Sequence, residues 1–323
     1  MPHAKTWNAI IPKLAYGAAH LGNLYTPITD AIADDILDAA TDGSAFVDTA
    51  PYYGHGLSEL RIGNYLKTHQ TRLPMISTKV GRRLDHCDHP SDFGFVNPAP
   101  FEPVFDYSAA GICETFQGSL NRLGLPRVDL LLLHDIGAMT HGSSHPDQMR
   151  LVEQEAWPAM QEIKGSHRAD AIGIGVNECE VVLECLDRGL TPDAIMLAGR
   201  HTLLDASAEK SGVIARCKSL GIRLLIAAPF NSGILAGGNQ FNYAAAPEPI
   251  LAVARKLSEI CADFRAELPA AALQFPLRQP GVSMVVAGAK SRDELCQQRI
   301  WMNSSIPEDC WTAIDAIRNR YLS

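Results

Sequence analysis

The sequence predicts an α/β protein that folds as a single (β/α)8 barrel, and three observations predict this class. Eight runs of four to seven residues are nearly all apolar, as parallel strands buried on both faces are. Amphipathic segments lie between most of these runs. No Gly-x-Gly-x-x-Gly motif follows any run, which disfavours an open dinucleotide-binding sheet. The predicted strands span residues 10–16, 45–48, 75–79, 128–133, 171–176, 194–197, 222–227 and 282–287.

Two of the segments between the strands have helix ends that the sequence shows. One helix is predicted from an N-cap at Ser108 to a stop at Gly124, with an apolar residue at every fourth position from 112 to 120. Another is predicted from Thr29 to Gly43, with residues 32, 36 and 39 on its apolar stripe. Residues 82–107 contain four prolines and are predicted to form a long irregular loop over the C-terminal mouth of the barrel.

Length and composition limit the possible classes and partners. The chain has 323 residues, 46% hydrophobic and 20% charged, which excludes disordered and fibrous proteins and suits one barrel domain over residues 1–323. A net charge of −8 without a Lys/Arg run disfavours nucleic acid or a membrane surface as partner. No apolar run is long enough to span a membrane, and the first residues lack a signal-peptide pattern. Eight scattered cysteines without a Cys-x-x-Cys motif are expected to be reduced, and the protein to be soluble and cytoplasmic.

Three charged or polar residues end successive predicted strands. Asp48, Lys79 and His134 each follow an apolar run directly. In a barrel these positions surround one pocket at the C-terminal mouth, where active sites form. Each residue alone has a structural explanation, but three on successive strands predict a catalytic pocket.

Tyr53 lies five residues after Asp48, in the loop that follows the same strand. An ammonium beside a phenol favours the phenolate, so Lys79 is expected to lower the pKa of Tyr53 from about 10 toward neutrality. A carboxylate would keep the lysine charged, and the imidazole would fix a substrate oxygen. Such a site can exchange a proton with a carbonyl or alcohol. Because none of these groups supplies hydride, a nicotinamide cofactor is also expected.

These residues and several others together resemble the aldo-keto reductases. The motifs are Phe46-Val-Asp48-Thr-Ala-Pro-Tyr-Tyr53-Gly54 with Ser58-Glu59, Ser77-Thr-Lys79, the strand ending in His134, Gly173-Ile-Gly-Val176 and Val286-Ala-Gly288-Ala-Lys290-Ser291. They occur in the family's order and cover residues 16–298. The resemblance implies a single (β/α)8 barrel that binds NAD(P) across its mouth. It also implies that Tyr53 is the general acid/base, that Lys79 and Asp48 tune it, and that His134 orients the substrate.

The resemblance also implies which residues bind the cofactor. Asn177 is expected to bind the nicotinamide carboxamide, whereas Ala198 and Ala227 replace the family's usual glutamine and tyrosine, so those two contacts are not carried over. Glu294 stands where NADP-specific members often have a basic residue, which favours NAD. Glu294 also completes a capping box with Ser291, and Lys290 nearby would tolerate a phosphate, so NADP stays an alternative. The full predicted set is Gly17, Ala18, Asp48, Asn177, Pro229, Phe230, Asn231, Ser232, Gly233, Leu235, Gly288, Ala289, Lys290, Glu294 and Gln298.

Within the family the chain most resembles a branch that oxidises cyclic hemiacetals to lactones. That branch contains aldose 1-dehydrogenases, which act on L-fucose, L-galactose or D-arabinose, and pyridoxal 4-dehydrogenases. We expect an aldose 1-dehydrogenase, with pyridoxal as the alternative substrate. The residues expected to contact further substrate groups are His55, Arg82, His134 and Asp135, with Asn231 as an additional candidate.

Three other functions are compatible with parts of the sequence. The pairs His86/His89 and His141/His145 suggest a metal-dependent hydrolase, but no acidic ligands accompany them at strand ends, so no metal is expected. A non-enzymatic cofactor-binding module and a general NADP-dependent aldehyde reductase would share the same motifs. A small molecule is the expected partner, and the sequence does not indicate an oligomeric state.

Overall fold

In the computed structural model, which describes residues 7, 11–41, 45–69, 73–242 and 244–322, eight parallel strands close into a barrel. The circular order of the barrel strands is β1-β2-β3-β6-β7-β8-β9-β12. Four further short strands form two antiparallel hairpins outside the barrel. The strands are β1 Leu14–Gly17, β2 Phe46–Asp48, β3 Met75–Val80, β4 Arg82–His86, β5 Phe101–Phe105, β6 Val128–His134, β7 Ala169–Val176, β8 Ala194–Ala198, β9 Arg223–Ala227, β10 Gln240–Phe241, β11 Ala244–Ala245 and β12 Val282–Gly288.

All eight predicted strands are present, and the single (β/α)8 barrel is confirmed. All but one of the strand ends lie within two residues of the prediction. The first strand begins later than predicted, at Leu14, and Ile10 lies outside the described residues. No helix in the described ranges is long and apolar enough to cross a membrane.

Helices lie between the strands on the outside of the barrel. They are α1 Asp30–Ala40, α2 Leu57–Thr68, α3 Ala109–Leu123, α4 Ala138–His141, α5 His145–Leu151, α6 Trp157–Gly165, α7 Cys179–Asp187, α8 Ser207–Lys210, α9 Val213–Ser219, α10 Glu248–Asp263, α11 Leu268–Gln274, α12 Arg292–Asn303 and α13 Glu308–Tyr321. Short 3-10 segments occupy Ala18–Gly22, Gly142–Ser144, Ile234–Ala236 and Phe275–Arg278, and a π-helical turn occupies Val152–Ala156.

The two helices with predicted ends differ in how well the prediction holds. In α3 the Ser108 hydroxyl accepts a hydrogen bond from the Gly111 amide at 3.0 Å, and Gly124 ends the helix in the left-handed conformation, as predicted. In α1 Thr29 is the N-cap as predicted, but the helix ends at Ala40 and Gly43 lies outside the described residues. The predicted apolar stripe is partly wrong, because Ile32 is 43% exposed. The buried face consists of Ala33, Ile36, Leu37, Ala39 and Ala40.

The apolar core has an inner and an outer layer because side chains alternate along each strand. The inner layer fills the barrel and is closed at the bottom by Trp7 and Phe46. The outer layer lies between barrel and helices and is larger. The inner layer contains Trp7, Ala15, Phe46, Met75, Leu130, Leu132, Ala171, Ala194, Met196, Leu225, Met284 and Val286. Five of the eight cysteines are buried, and all eight are unpaired thiols.

Residues 82–107 are more regular than predicted. Strands β4 and β5 pair antiparallel over five residue pairs, from Arg82 opposite Phe105 to His86 opposite Phe101. The prediction of an irregular loop is therefore wrong at both ends of this segment. Pro103 concealed the strand, since proline is accepted in a two-stranded ribbon but weakens the sequence signal. We call β4, β5 and the residues between them the mouth hairpin.

Candidate active site

The three predicted strand-end residues are the top layer of the barrel interior. Leu130 and Leu132 of β6 point into the barrel, and alternation gives His134 the same direction. Asp48 lies two residues after the inward residue Phe46 of β2 and therefore also points inward. Lys79 lies four residues after the inward residue Met75 of β3 and has the same direction. All three side chains are buried. The structure therefore brings the predicted residues together at the C-terminal mouth.

Lys79 is the centre of the polar contacts in this layer. Its Nζ donates to Asp48 Oδ2 at 2.8 Å, to the Thr49 carbonyl at 2.9 Å and to Tyr53 Oη at 3.1 Å. The pKa of Lys79 is raised: burial acts to lower it, but Asp48 and Tyr53 outweigh burial. Lys79 is thus a fixed cation, and its charge is directed at the Tyr53 hydroxyl.

Ser77 holds Asp48 in position, and sequence reasoning did not assign it this role. Its hydroxyl donates to Asp48 Oδ1 at 2.6 Å, which leaves Oδ2 for Lys79. Ser77 lies two residues before Lys79 on the same face of β3 and is paired in register with Asp48. The period of two along a strand is the signal that could have revealed it.

The pKa of Tyr53 is raised, which is opposite to the direction expected from the sequence. Burial of the phenol is the largest influence and raises its pKa, while the Lys79 ammonium lowers it by less and Asp48 adds a further increase. The sequence showed the charged neighbours but not the depth of burial. Tyr53 in the protein alone therefore keeps its proton at neutral pH.

His134 is neutral and lies beside the phenol. Burial is the main cause that holds the pKa of His134 well below its usual range, and the cations Arg82 and Lys79 lower it further. Its ring centroid is 6.3 Å from that of Tyr53, in an edge-to-face arrangement. Its Nε2 lies 3.5 Å from Asp135 Oδ2. A neutral imidazole with one N–H can donate a hydrogen bond to a substrate oxygen without supplying a full charge.

The loop that carries Tyr53 is held by direct backbone contact. A Cβ added to Gly22 would lie 2.5 Å from the Gly54 nitrogen and from the Tyr53 carbonyl carbon. A Cβ on Gly54 would lie equally close to Gly22, and Gly54 has a φ of 63°. The two glycines therefore allow the loop to pack on the 3-10 segment after β1, which fixes the start of the Tyr53 side chain.

The predicted substrate residues have two different surroundings. Arg82 donates to Asp135 at the mouth, and Asn177 Nδ2 lies 3.4 Å from the other Asp135 oxygen. His55 is fully buried, and its Nδ1 lies 2.6 Å from the Phe101 carbonyl of the mouth hairpin. His55 thus contacts the end of the β4–β5 ladder opposite Arg82.

The rest of the mouth is built from small residues. By the same alternation, the inward positions that end β1, β7, β8, β9 and β12 are glycine or alanine. A Cβ on Gly175 would contact Lys79 Cε at 3.6 Å, which shows that this position faces the pocket. We call these five positions the small-residue half: Gly17, Gly175, Ala198, Ala227 and Gly288. Asp48, Tyr53, Lys79 and His134 form the charged half.

A sequence model of the Aldo/keto reductase family matches residues 13–319. The chain belongs to the aldo/keto reductase family. It is therefore an oxidoreductase of a family that uses a nicotinamide dinucleotide.

Individual relatives give the same family. The chain is 38% identical to a pyridoxal 4-dehydrogenase of Microbacterium luteolum, over 94% of this chain and 93% of that protein. It is 34% identical to a D-threo-aldose 1-dehydrogenase of a Pseudomonas species, over 98% and 97% of the two chains. The fold is similar to that of a glycerol dehydrogenase from Gluconobacter oxydans, with a TM-score of 0.76, 18% identity and coverage of 99% and 95%.

Apart from Asp48, the predicted cofactor residues of this aldo/keto reductase lie along or next to the small-residue half. Gly17 ends β1, is followed by Ala18 and pairs in register with Gly288 of β12. Residues 229–235 form the turn after β9. The end of β12 and the first turns of α12 carry Gly288, Ala289, Lys290, Glu294 and Gln298. Asn177, which follows β7, also contacts the substrate candidate Asp135.

The turn after β9 offers a side-chain amide rather than a row of backbone donors. The N–H groups of Asn231, Gly233 and Leu235 donate within the turn, to the carbonyls of Ala228 and Phe230. The Leu235 side chain is buried in the core. These three amides are thus not available to a phosphate.

Unpaired buried atoms near this half are compatible with a polar ligand such as a dinucleotide. Both amide atoms of Asn231 are buried without a hydrogen-bond partner in the described protein. Gln298 donates to the Gly288 carbonyl at 2.7 Å, but its Oε1 is also buried without a partner. Buried polar groups normally find partners, so these atoms suit a ligand rich in hydroxyl, amide and phosphate groups.

Glu294 forms the helix cap that the sequence allowed. Its N–H donates to the Ser291 hydroxyl at 3.2 Å, and its Oε2 accepts from the Lys290 amide at 2.9 Å. The Lys290 ammonium is 3.8 Å from Oε1. The carboxylate therefore occupies the first turn of α12 and offsets the charge of the nearby lysine.

Of the four histidines that suggested a metal, the pair His141/His145 has other partners. His141 Nε2 lies 2.9 Å from the Tyr107 hydroxyl, and His145 Nε2 lies 2.8 Å from Glu184. Within the part of the chain that the structure describes, no three His, Cys, Asp or Glu side chains are placed to hold a metal ion.

Proposed function

We propose that this aldo/keto reductase oxidises a cyclic hemiacetal to a lactone and uses NAD. The observation that carries the proposal is the contact between buried Lys79 and the Tyr53 hydroxyl, at the base of the mouth and beside neutral His134. Relatives named for pyridoxal and for an aldose, both of which form cyclic hemiacetals, support the substrate class.

Each residue of the charged half has one role in this proposal. Tyr53 accepts the proton of the hemiacetal hydroxyl, and Lys79 stabilises the phenolate that precedes this transfer. Asp48 and Ser77 hold Lys79 in position. His134 donates to the reacting oxygen and sets its angle. A nicotinamide bound along the small-residue half would supply the hydride acceptor.

The raised pKa of Tyr53 sets the pH dependence of the reaction. Oxidation needs the phenolate, and the protein alone favours the phenol. The rate of oxidation at low substrate is therefore expected to rise with pH across the neutral and alkaline range. The reverse reduction needs the phenol, which persists below this raised pKa, so its rate is expected to stay level across the neutral range.

NAD is proposed rather than NADP because of Glu294. Its carboxylate lies at the start of α12, where family members that use NADP often place a basic residue. A carboxylate repels a 2′-phosphate and can accept a hydrogen bond from a 2′-hydroxyl. In Glu294→Gln we expect kcat/KM for NADP to rise relative to NAD. Asp293→Asn, one residue earlier on the same helix, is the matched control and leaves this ratio unchanged.

The reaction is tested by following reduced nicotinamide with NAD or NADP and each of L-fucose, L-galactose, D-arabinose and pyridoxal. Lactone formation with NAD from any of them supports the proposal. Turnover that is faster with NADP contradicts the role of Glu294. Absence of lactone from all four, with both cofactors, refutes the proposed reaction.

A further inference from the structure

We propose that Arg82 selects the substrate by binding an ionised oxygen on a flat aromatic ring, next to the carbon that is oxidised. This inference rests on the proposed function and chooses the aromatic hemiacetal over the aldose. It assigns a specificity role that none of the family motifs contains.

The Arg82 guanidinium is fixed between two aromatic rings. Its central carbon lies 3.9 Å from the Tyr52 ring centroid and 4.5 Å from the Phe105 ring centroid. Arg82 begins β4, and Phe105 is its partner in β5, so the guanidinium lies at the base of the mouth hairpin. Its side chain is 14% exposed. A guanidinium held by two rings has lost most of its freedom before a ligand arrives.

Arg82 retains an unused donor. One terminal nitrogen donates to Asp135, whereas Nε is buried and has no hydrogen-bond partner in the described protein. A buried N–H of a charged group without an acceptor is unfavourable, and an anionic oxygen is its best partner. Arg82 thus keeps one N–H for a ligand oxygen while its other end is paired with Asp135.

Arg82 is also at the right place relative to the reacting group. The Asp135 carboxylate that binds Arg82 lies 3.5 Å from His134 Nε2. Only one carboxylate therefore separates the guanidinium from the imidazole that we propose binds the reacting oxygen. A substituent on the ring atom beside the reacting carbon would lie in this interval.

The walls of the pocket favour a flat ring over a sugar. Tyr52 is surrounded by Phe95 at 5.3 Å, by Phe93 at 6.1 Å and by His134 at 6.1 Å between ring centroids. Aromatic faces and edges suit an aromatic ligand. An aldose presents several hydroxyls, and the mouth groups nearest to them, Arg82, Asp135 and Asn177, already contact one another. Unpaired sugar hydroxyls in such a pocket would weaken binding.

The test compares ligands that differ by one oxygen. Pyridoxal carries an ionisable hydroxyl on the ring carbon beside the reacting group, and the analogue with hydrogen at that position lacks it. In Arg82→Gln we expect kcat/KM for pyridoxal to fall about 10- to 100-fold, as loss of a charge-assisted hydrogen bond predicts. The value for the analogue should change less than about threefold.

Arg83→Gln is the matched control. Arg83 is the next residue of β4, pairs with Asp85 and Asp106, and should leave both substrates unaffected. Because Arg82→Gln leaves the Asp135 carboxylate buried without its partner, Arg82→Gln/Asp135→Asn is also measured, with thermal unfolding to confirm folding. The double variant should show the same difference between the two ligands.

A binding measurement separates failure of this inference from failure of the proposed reaction. Calorimetry with pyridoxine, which lacks an aldehyde that could react with lysines, and with its analogue lacking the ring hydroxyl needs no turnover. A hydroxyl-dependent loss of affinity in Arg82→Gln supports the inference even if no lactone forms. Equal losses for both ligands, or wild-type kcat/KM higher for an aldose than for pyridoxal, would overturn it.

Discussion

The two halves of the barrel mouth are built from opposite kinds of residue. In the charged half, buried groups contact one another closely, with Lys79 hydrogen-bonded to Asp48 and Tyr53. In the small-residue half, the last inward residue of five adjacent strands is glycine or alanine, and the side-chain amide of nearby Asn231 has no partner in the described protein. In the charged half Asp48, Lys79 and Tyr53 bond to one another and only His134 Nδ1 is buried without a partner among the described residues, whereas the other half offers small residues and an unpaired side-chain amide nearby.

The residues proposed to transfer the proton and most of those proposed to bind the cofactor thus lie on different strands of the barrel. The charged half sets the protonation state of a single phenol. The small-residue half leaves room for an extended ligand against the backbone. Substitutions in the charged half are therefore expected to change kcat or the pH dependence of stability, and substitutions near the small-residue half to change the affinity for NAD.

The largest effect is expected from Lys79→Met. Without the ammonium the Tyr53 phenolate is no longer stabilised, so kcat should fall about 100- to 10,000-fold. The Kd for NAD, measured by quenching of protein fluorescence, should change little because Asp48 is kept and the other predicted cofactor residues lie outside the charged half.

This variant needs a folding control because it leaves Asp48 charged and buried. An unpaired buried charge costs about 3–5 kcal/mol of unfolding free energy. Lys79→Met/Asp48→Asn removes that charge and should regain stability but not activity. A loss of NAD affinity as large as the loss of kcat would show that the halves are not separate.

A smaller effect, on the stability of the folded protein, is expected when the pH is lowered, and it arises in the charged half. His134 has a lowered pKa, so the unfolded chain takes up a proton that the folded protein excludes. Its contribution to stability is therefore present above about pH 6.5 and is lost as pH falls below that value. The loss grows as the pH falls from about 6.5 to 5.

The free energy of unfolding is measured by urea titration in assays at pH 7.5 and at pH 5. His134→Asn should lose less stability between the two pH values than the wild type does. His86→Gln, on the exposed mouth hairpin, is the control and should behave as the wild type. Equal losses in all three proteins would show that His134 is not held neutral by burial.

The smallest effect is expected from Asn231→Gly in the small-residue half. Glycine accepts the φ of 46° at this position and removes the amide. NAD affinity should weaken by about tenfold, as the loss of one or two hydrogen bonds predicts. At saturating NAD, kcat should stay near the wild-type value. A fall in kcat without a change in Kd would assign Asn231 to the chemistry instead.

The sequence allowed the fold and the charged half to be predicted for a physical reason. Apolar runs and the residues that end them are local features, and strand alternation converts them into positions around one pocket. Asp48, Lys79 and His134 could thus be placed together without the structure. The roles of these residues in catalysis stay predictions.

Other features depend on distances that no local pattern encodes. The direction of the Tyr53 pKa shift follows from its depth of burial, which outweighs a charged neighbour visible in the sequence. The Arg82–Asp135 pair joins residues 53 positions apart. The mouth hairpin was obscured by Pro103. Each of these follows from packing rather than from sequence spacing.

The backbone contact between Gly22 and Gly54 has an evolutionary consequence. Main-chain atoms alone set the start of the Tyr53 side chain, so the contact does not depend on which side chains line the substrate pocket. Residues at the rim, such as Tyr52, Arg82 and Phe105, could therefore be exchanged in a descendant protein while the proton-transfer machinery stays in register. Proteins that share this architecture can therefore change substrate specificity through single substitutions at the rim while the proton-transfer residues stay the same.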